Sequence, residues 1–348
     1  MHCPRSVALS ERFPEDESLY AAEGTEAHAL CEYLLLRSLG HAAEDPRPGM
    51  RFYSPAMQEA AEEYVSYLQS RMEAFRTDGS KPQLLVEQML NLVPWIPEGR
   101  GTSDAIVRAG DTLLVCDFKY GMLSVPAESP QLRIYALGAV HLFSGVMTPS
   151  RVETVIYQPR LGRVAAAYWT VEELTEWARD ELKPAALRAW RDEGDFCPGD
   201  WCRFCRARGA CRARAEEQLR LAQQEFGPPD TLTLPELSDI LNRLQTFLPW
   251  AEDVRAYATS VALKGENVPG WVLSEGASRR RFTDDAAVAE RVKALGKDPW
   301  ERRLLSPSAL ERLLGKKVFR EELSGLIERP PGKPVLVPLQ EGDEPPAA

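Results

Sequence analysis

At 348 residues with a net charge of −10, the chain is long enough for two domains and too acidic for indiscriminate attraction to nucleic acid. Apolar residues make up 44% and charged residues 27%, both ordinary for a globular protein, and no run approaches the ~18 consecutive apolar residues of a membrane span. The first residues lack the basic and apolar regions of a signal peptide, so a cytosolic location is expected, and seven cysteines there point to metal or cluster ligation more than to disulfides.

Residues 20–39 read as a helix rich in Ala, Leu and Glu and stopped by Gly40. The helix carries "AAEGTEAHAL" and so His28; a lone helical histidine is more often structural than ligating. A second, amphipathic helix is expected over 55–76, opened by Pro55 and ended before Asp78-Gly79. "QLLVEQMLNLV" over 83–93 is a strand candidate with Glu87 on the face of Leu85 and Met89, where alone it reads as a solvated edge charge.

"GTSDAIVRAGDTLLVCDFKYG", residues 101–121, reads as two strands joined at Gly110-Asp111, a two-residue hairpin signal. That loop pairs Ala109 with Thr112 and sets Asp104 directly opposite Asp117. Opposed residues on antiparallel strands have Cβ atoms roughly 4.5–5.5 Å apart, so two carboxylates there repel unless a cation sits between them. Strand alternation puts Val115, Asp117 and Lys119 on one face and Leu114, Cys116 and Phe118 on the other. Two readings stand at this point. Either the carboxylates converge on a divalent cation, or they are solvent-facing strand ends with Lys119 as their ion-pair partner.

"PQLRIYALGAVHLF", residues 130–143, is helical with Pro130 in its first turn, and it sets Gln131 and Tyr135 on one face. Residues 151–160 and 164–170 form a further strand pair around Leu161-Gly162. Thr170 with Glu173 is a capping box opening a long helix to about Arg191. A cysteine-rich segment spans 197–211, and 215–264 is mostly helical with a Pro-rich break at 227–229. Residues 265–325 mix short elements, and the Pro-, Gly- and Glu-rich tail from Pro330 is expected to be disordered. The pattern is α/β: a mixed central sheet flanked by helices, with a mostly helical C-terminal extension.

In "CPGDWCRFCRARGAC", Cys202, Cys205 and Cys211 follow a C-x2-C-x5-C spacing that lacks a fourth ligand. Cys197 is the local candidate, and with it the segment becomes a four-cysteine zinc knuckle. Cys31 and Cys116 read as small buried hydrophobes. Arg203, Arg206, Arg208, Arg212 and Arg214 make the same segment basic, either as a solvated loop or as a contact for a nucleic-acid backbone.

Taken in order, G-T-x-x-H ending at His28, V-E at Glu87, G-x-x-D at Asp104, D-x-K at Asp117 to Lys119 and Q-x-x-x-Y at Gln131 to Tyr135 form a specific series. The series resembles the RecB-like nucleases of the PD-(D/E)xK class. Within that class it is most similar to the iron–sulfur exonucleases of CRISPR adaptation and related phage exonucleases. The resemblance covers roughly residues 1–215; 216–329 would be an accessory region and 330–348 a tail. "VPGWVLSEGASRRRF" and "PPGKPVLVPL" in that later part are similar to a phage family without an assigned function. The chain begins two residues before its first cysteine, where such relatives have a short leader.

The resemblance implies a restriction-endonuclease-like core and a metal-dependent DNA exonuclease. Asp104, Asp117, the Phe118 carbonyl and His28 would hold Mn²⁺ or Mg²⁺, the imidazole favouring Mn²⁺. Glu87 would assist at the metal or its outer shell, Lys119 would orient water and stabilise the pentavalent charge, and Gln131 and Tyr135 would position the DNA backbone. Cys3 is nominated as the fourth ligand, with Cys202, Cys205 and Cys211, of a [4Fe–4S] cluster joining the two ends of the nuclease domain. Arg203, Arg206 and Arg208 would touch DNA. The expected substrate is single-stranded DNA ends, in phage recombination or end processing beside a single-strand annealing protein, with no membrane involved. The alternative is a non-catalytic nucleic-acid-binding or assembly factor that keeps the fold and a zinc knuckle.

Overall fold

A computed structural model describes residues 2–14, 19–147, 149–220, 233–274, 283–295, 297–300 and 304–328. Contacts divide the chain into two units, residues 1–196 with 310–326 and residues 197–309 with 327–348. That division follows Phe196, whereas the motif series suggested a boundary at 215, so the cysteine segment groups with the second unit. The Pro-rich break at 227–229 and the tail from Pro330 lie outside the described residues.

The first unit opens with a short helix α1 (Ser6–Ser10), followed by α2 (Leu19–Ser38) and α3 (Pro55–Thr77). In α2 the buried residues Ala27, Leu30, Cys31 and Leu35 share one face. Ser54 caps α3 by accepting the Met57 N–H at 3.2 Å, and Pro55 occupies the first turn, where its missing N–H costs nothing. Its apolar stripe runs Met57, Ala60, Ala61, Tyr64, Leu68, Met72.

Five strands follow: β1 (Gln83–Asn91), β2 (Arg100–Ala109), β3 (Thr112–Phe118), β4 (Arg151–Gln158) and β5 (Arg163–Thr170). They lie in sequence order in one mixed sheet, with β3 and β4 parallel and the other neighbours antiparallel. The β2–β3 turn has the expected register, from Ala109 opposite Thr112 to Ala105 opposite Cys116, with Gly110 at φ 58°, a left-handed conformation that glycine adopts without strain. A parallel neighbour needs a crossover, and α4 (Pro130–Phe143) provides it between β3 and β4.

Strand alternation gives the sheet two apolar faces. Ala105, Val107, Leu114, Cys116 and Phe118 pack with α2 and α3. Ile106, Leu113 and Val115 pack with Leu132, Ala136 and Leu137 of α4 and with Leu174 and Trp177 beyond β5. The Thr170–Glu173 capping box is present, but it opens α5 (Val171–Trp177) rather than one long helix. A π-type turn at Ala178–Leu182 separates α5 from α6 (Lys183–Trp190). Pro184 has no N–H to bond four residues back, which favours a wider turn just before it.

The second unit contains α7 (Arg212–Leu219), α8 (Leu234–Leu263) and α9 (Asp285–Ala294). A Thr233–Glu236 capping box starts α8. Next come α10 (Pro307–Leu314) and α11 (Lys316–Leu323). Helix α11 belongs to the first unit, where the Glu59 carboxylate of α3 accepts the Lys316 and Lys317 N–H groups. Among the described residues no helix is long and apolar enough to cross a membrane.

Gly138 marks where α4 lies tightest on the sheet. A Cβ there would come within 2.9 Å of both Leu90 Cβ and Leu92 Cδ2. Alanine is worth about 1 kcal/mol more than glycine in a helix interior, but overpacking against a Cβ that cannot swing aside costs about 1–3 kcal/mol. Gly138→Ala is therefore expected to lower the denaturation midpoint; a midpoint equal to or above that of the parent would show that α4 lies further from β1.

Candidate metal and catalytic site

The sheet register builds the site. Val86 faces Ala105 and Gln88 faces Ser103, so Glu87 lies opposite Asp104. Continuing the β2–β3 register one step beyond Ala105 and Cys116 sets Asp104 opposite Asp117. Three carboxylates thus form one row across β1, β2 and β3. Glu87 adopts a left-handed φ of 46°, a strained conformation for a residue with a Cβ, and strain of this kind tends to persist at working sites.

His28 on α2 reaches this row, with Nδ1 3.3 Å from Asp104 Oδ2. His28, Glu87 and Asp104 each offer a ligand atom, all within 4.8 Å of one another. Hard carboxylate oxygens with one imidazole are a donor set suited to Mn²⁺ or Mg²⁺. Asp104 Oδ2 also accepts the Phe118 N–H at 2.7 Å, which fixes the peptide at the end of β3. The Phe118 ring is fully buried against Tyr64, Tyr120 and Tyr157.

Asp117 was expected among the ligands, but it is not in that three-residue group. It is only 2% exposed, and Lys119 Nζ lies 3.1 Å from Oδ1 in hydrogen-bond geometry and 2.9 Å from Oδ2. Both carboxylate oxygens of Asp117 therefore face the Lys119 ammonium. Burial rules out a solvated strand end, while Lys119 is indeed the partner of Asp117.

Proton affinities follow from this crowding. Burial, with the charges of Asp104, Glu32 and Asp117, pushes the Glu87 carboxyl up to about 7, against the pull of His28. Burial and Asp104 push Asp117 up to about 6, against the pull of Lys119 and His28. Burial alone would lower His28, but its hydrogen bond to Asp104 and the charges of Asp104 and Asp117 outweigh it, and the net direction is upward. Lys119 is also raised, because Asp117 and Asp104 outweigh burial.

Gln131 Nε2 donates to the Tyr135 hydroxyl at 3.1 Å, so α4 brings this expected pair together. Gly101 makes room for that ring: a Cβ there would lie 2.8 Å from Tyr135 Cε1.

Several supporting residues carry no local sequence signal. Arg160 pairs with Glu23 of α2, and its guanidinium sits 4.1 Å from the Tyr120 ring centroid. Glu26 accepts the Arg51 and Phe52 N–H groups at 2.8 and 2.7 Å. These bonds anchor the turns of α2 just before His28, and their partners stand 137, 25 and 26 positions away.

In the second unit, Cys202, Cys205 and Cys211 are half-buried on one loop, and none of the seven cysteines is in a disulfide. Burial raises the Cys202 thiol, on which Cys205 and Cys211 also act, but their sulfurs are not among the described ligand atoms that gather within 4.8 Å of one another. Cys202 Sγ accepts the Gly199 N–H at 3.4 Å. Arg203 and Arg206 are exposed. Arg208 is half-buried and donates to Asp253, 45 residues on in α8, at 3.0 Å.

A family model for proteins of unknown function, DUF2800, matches residues 1–344. The chain belongs to the DUF2800 family. This DUF2800 protein is also similar to the crystal structure of SSO0001, at 17% identity and a TM-score of 0.26, over 53% of this chain and 95% of that one.

Because Glu87 is held above its usual range, its contribution favours folding below about pH 4.5 and fades as the pH rises through about 7. In metal-free protein, Glu87→Gln is therefore expected to be more stable than the parent at pH 8, by on the order of 1 kcal/mol after solvent screening, and equal to it near pH 4.5. Denaturant melts in chelator at both pH values test this. A Gln variant no more stable at pH 8 than the parent would remove the repulsive row.

Proposed function

We propose that this protein is a metal-dependent DNA exonuclease with a RecB-like, restriction-endonuclease-like core, acting in the cytoplasm on single-stranded DNA ends. The observation that carries the reading is the row Glu87, Asp104, Asp117, closed on one side by His28 and on the other by Lys119. A binding module has no use for three carboxylates crowded into one row across adjacent strands.

His28, Glu87 and Asp104 would hold the cation, with Asp117 beside them as the partner of Lys119. A divalent cation there supplies Lewis-acid polarisation of a phosphodiester and acidifies nearby water. Lys119, already oriented by Asp117, presents its ammonium to the attacking water and to the charge that grows on the phosphoryl oxygens. Gln131 and Tyr135 hold the adjoining backbone. Arg203 and Arg206 give DNA a local basic contact that the acidic chain lacks overall. Cys202, Cys205 and Cys211, with Cys3 as the fourth ligand that the resemblance nominates, would hold a [4Fe–4S] cluster. Recombination or end processing beside a phage single-strand annealing protein is the proposed setting.

Asp117→Ala and Lys119→Ala are each expected to reduce cleavage of labelled single-stranded DNA by about 10²-fold or more without loss of fold. Chelator should abolish cleavage, and Mn²⁺ should restore it at least as well as Mg²⁺. Cleavage by either variant at the parent rate, or full activity in chelator, removes this reading.

Protein purified without oxygen should be brown, with iron and sulfide each near about four per chain. Cys3→Ser should bleach it and Cys197→Ser should not. Colourless protein carrying one zinc, insensitive to Cys3→Ser, would instead select the knuckle built on Cys197.

A further inference from the structure

The cysteine loop does not fold by its own bonds alone. It is a chain of tight turns: the Cys202 N–H bonds to the Gly199 carbonyl, that of Cys205 to Cys202, that of Arg208 to Cys205 and that of Cys211 to Ala207. Such turns fix local shape but not the separation of three thiols. Asp253, in the second half of α8, supplies the missing restraint. Its Oδ1 accepts Arg208 Nε at 3.0 Å and its Oδ2 accepts Arg214 Nη1 at 2.5 Å. Arg214 is 6% exposed, and the same Nη1 donates to the Arg208 carbonyl at 3.0 Å. One carboxylate thus ties a residue between Cys205 and Cys211 to the residue three beyond Cys211.

The fit is close at the backbone as well. A Cβ on Gly209 would lie 2.4 Å from the Asp253 carbonyl oxygen and 2.8 Å from Tyr257 Cβ. Only glycine lets the loop lie against α8 at this distance. Ala207, two residues earlier on the same loop, is fully buried.

We infer that Asp253 is a positioning residue for a thiolate-ligated metal centre, and that α8 is the frame on which Cys202, Cys205 and Cys211 take up their ligand spacing. The region beyond residue 215 is then part of the metal-binding unit rather than a separable accessory. This rests on the cysteine-cofactor part of the proposed function, and not on the nuclease site. Removing the carboxylate takes away the anion that a half-buried and a buried guanidinium share, and with it the tie across the loop, so the loop is expected to open.

The test uses full-length protein purified without oxygen, with iron, acid-labile sulfide and zinc measured per chain. A second readout is the rate at which Cys202, Cys205 and Cys211 are alkylated in metal-stripped protein, followed peptide by peptide. Asp253→Ala and Gly209→Ala should each lower metal content at least fivefold and speed alkylation at least tenfold. Asp253→Glu should recover part of both, and Glu252→Gln, a neighbour on the same helix, should behave as the parent. Circular dichroism shows whether the rest of the chain stays folded. Parent-like metal content and alkylation in both Asp253→Ala and Gly209→Ala would overturn the inference while leaving the cofactor standing. A parent that takes up neither iron nor zinc would overturn the cofactor itself, and with it the role given to Asp253.

Discussion

The first unit is organised around a repulsion. Glu87, Asp104 and Asp117 are cross-strand neighbours on three adjacent strands, and such neighbours sit about 5 Å apart. Two full charges at that separation repel by roughly 3 kcal/mol at an effective dielectric of ~20. Total folding stability is commonly about 5–15 kcal/mol, so two such terms cannot be left unrelieved. The protein relieves them partly with Lys119 and His28, and partly through the raised proton affinity of Glu87 and Asp117. A bound cation would relieve them fully. The arrangement is costly without a ligand and favourable with one, as a binding site for a cation requires.

Holding the row in place explains features that would otherwise look unrelated. His28 must reach the sheet end from a helix, and the turns of α2 before it are tied down by Arg160 on Glu23 and by two backbone N–H groups on Glu26. Lys119 must stay beside Asp117, and its own N–H bonds to the Tyr157 carbonyl on the parallel neighbour β4 at 2.9 Å. The crossover helix that makes β3 and β4 parallel is also the one that carries Gln131 and Tyr135. Sheet order, crossover and side-chain placement therefore serve one small volume around the carboxylate row.

Much of this is legible in the sequence, and for physical reasons. Helix α4 runs from Pro130 to Phe143 as expected, because Ser129, Pro130 and the apolar spacing are all local signals. The hairpin register is legible because a two-residue turn fixes every pair above it, and that alone sets Asp104 opposite Asp117. Extension of the row to Glu87 is not, since β1 and β2 are joined by a longer loop that sets no register by itself. The π-type turn at Ala178–Leu182 interrupts a segment that reads as one continuous helix, and only Pro184 hints at it. The pairing of Arg208 with Asp253 is not legible either, because a charged side chain in a basic segment shows nothing of a partner 45 residues away.

The two candidate metal sites differ in the sign of the charge that surrounds the ligands, and this is the physical reason to expect different occupants. At the sheet end, three carboxylates meet one ammonium and one imidazole, a surplus of negative charge on hard oxygens that attracts a compact divalent cation. In the cysteine loop, Arg208 and Arg214 converge on the carboxylate of Asp253, and a cationic side chain that the Cys202 thiol senses is Arg214. Arg214 works against the burial that raises that thiol, and so favours its thiolate form. A metal bound by several thiolates carries net negative charge into a half-buried loop, and a nearby guanidinium offsets it. Without the Asp253 carboxylate the tie between Arg208 and Arg214 is lost and the loop loses its frame, while Arg214 stays close enough to act on Cys202.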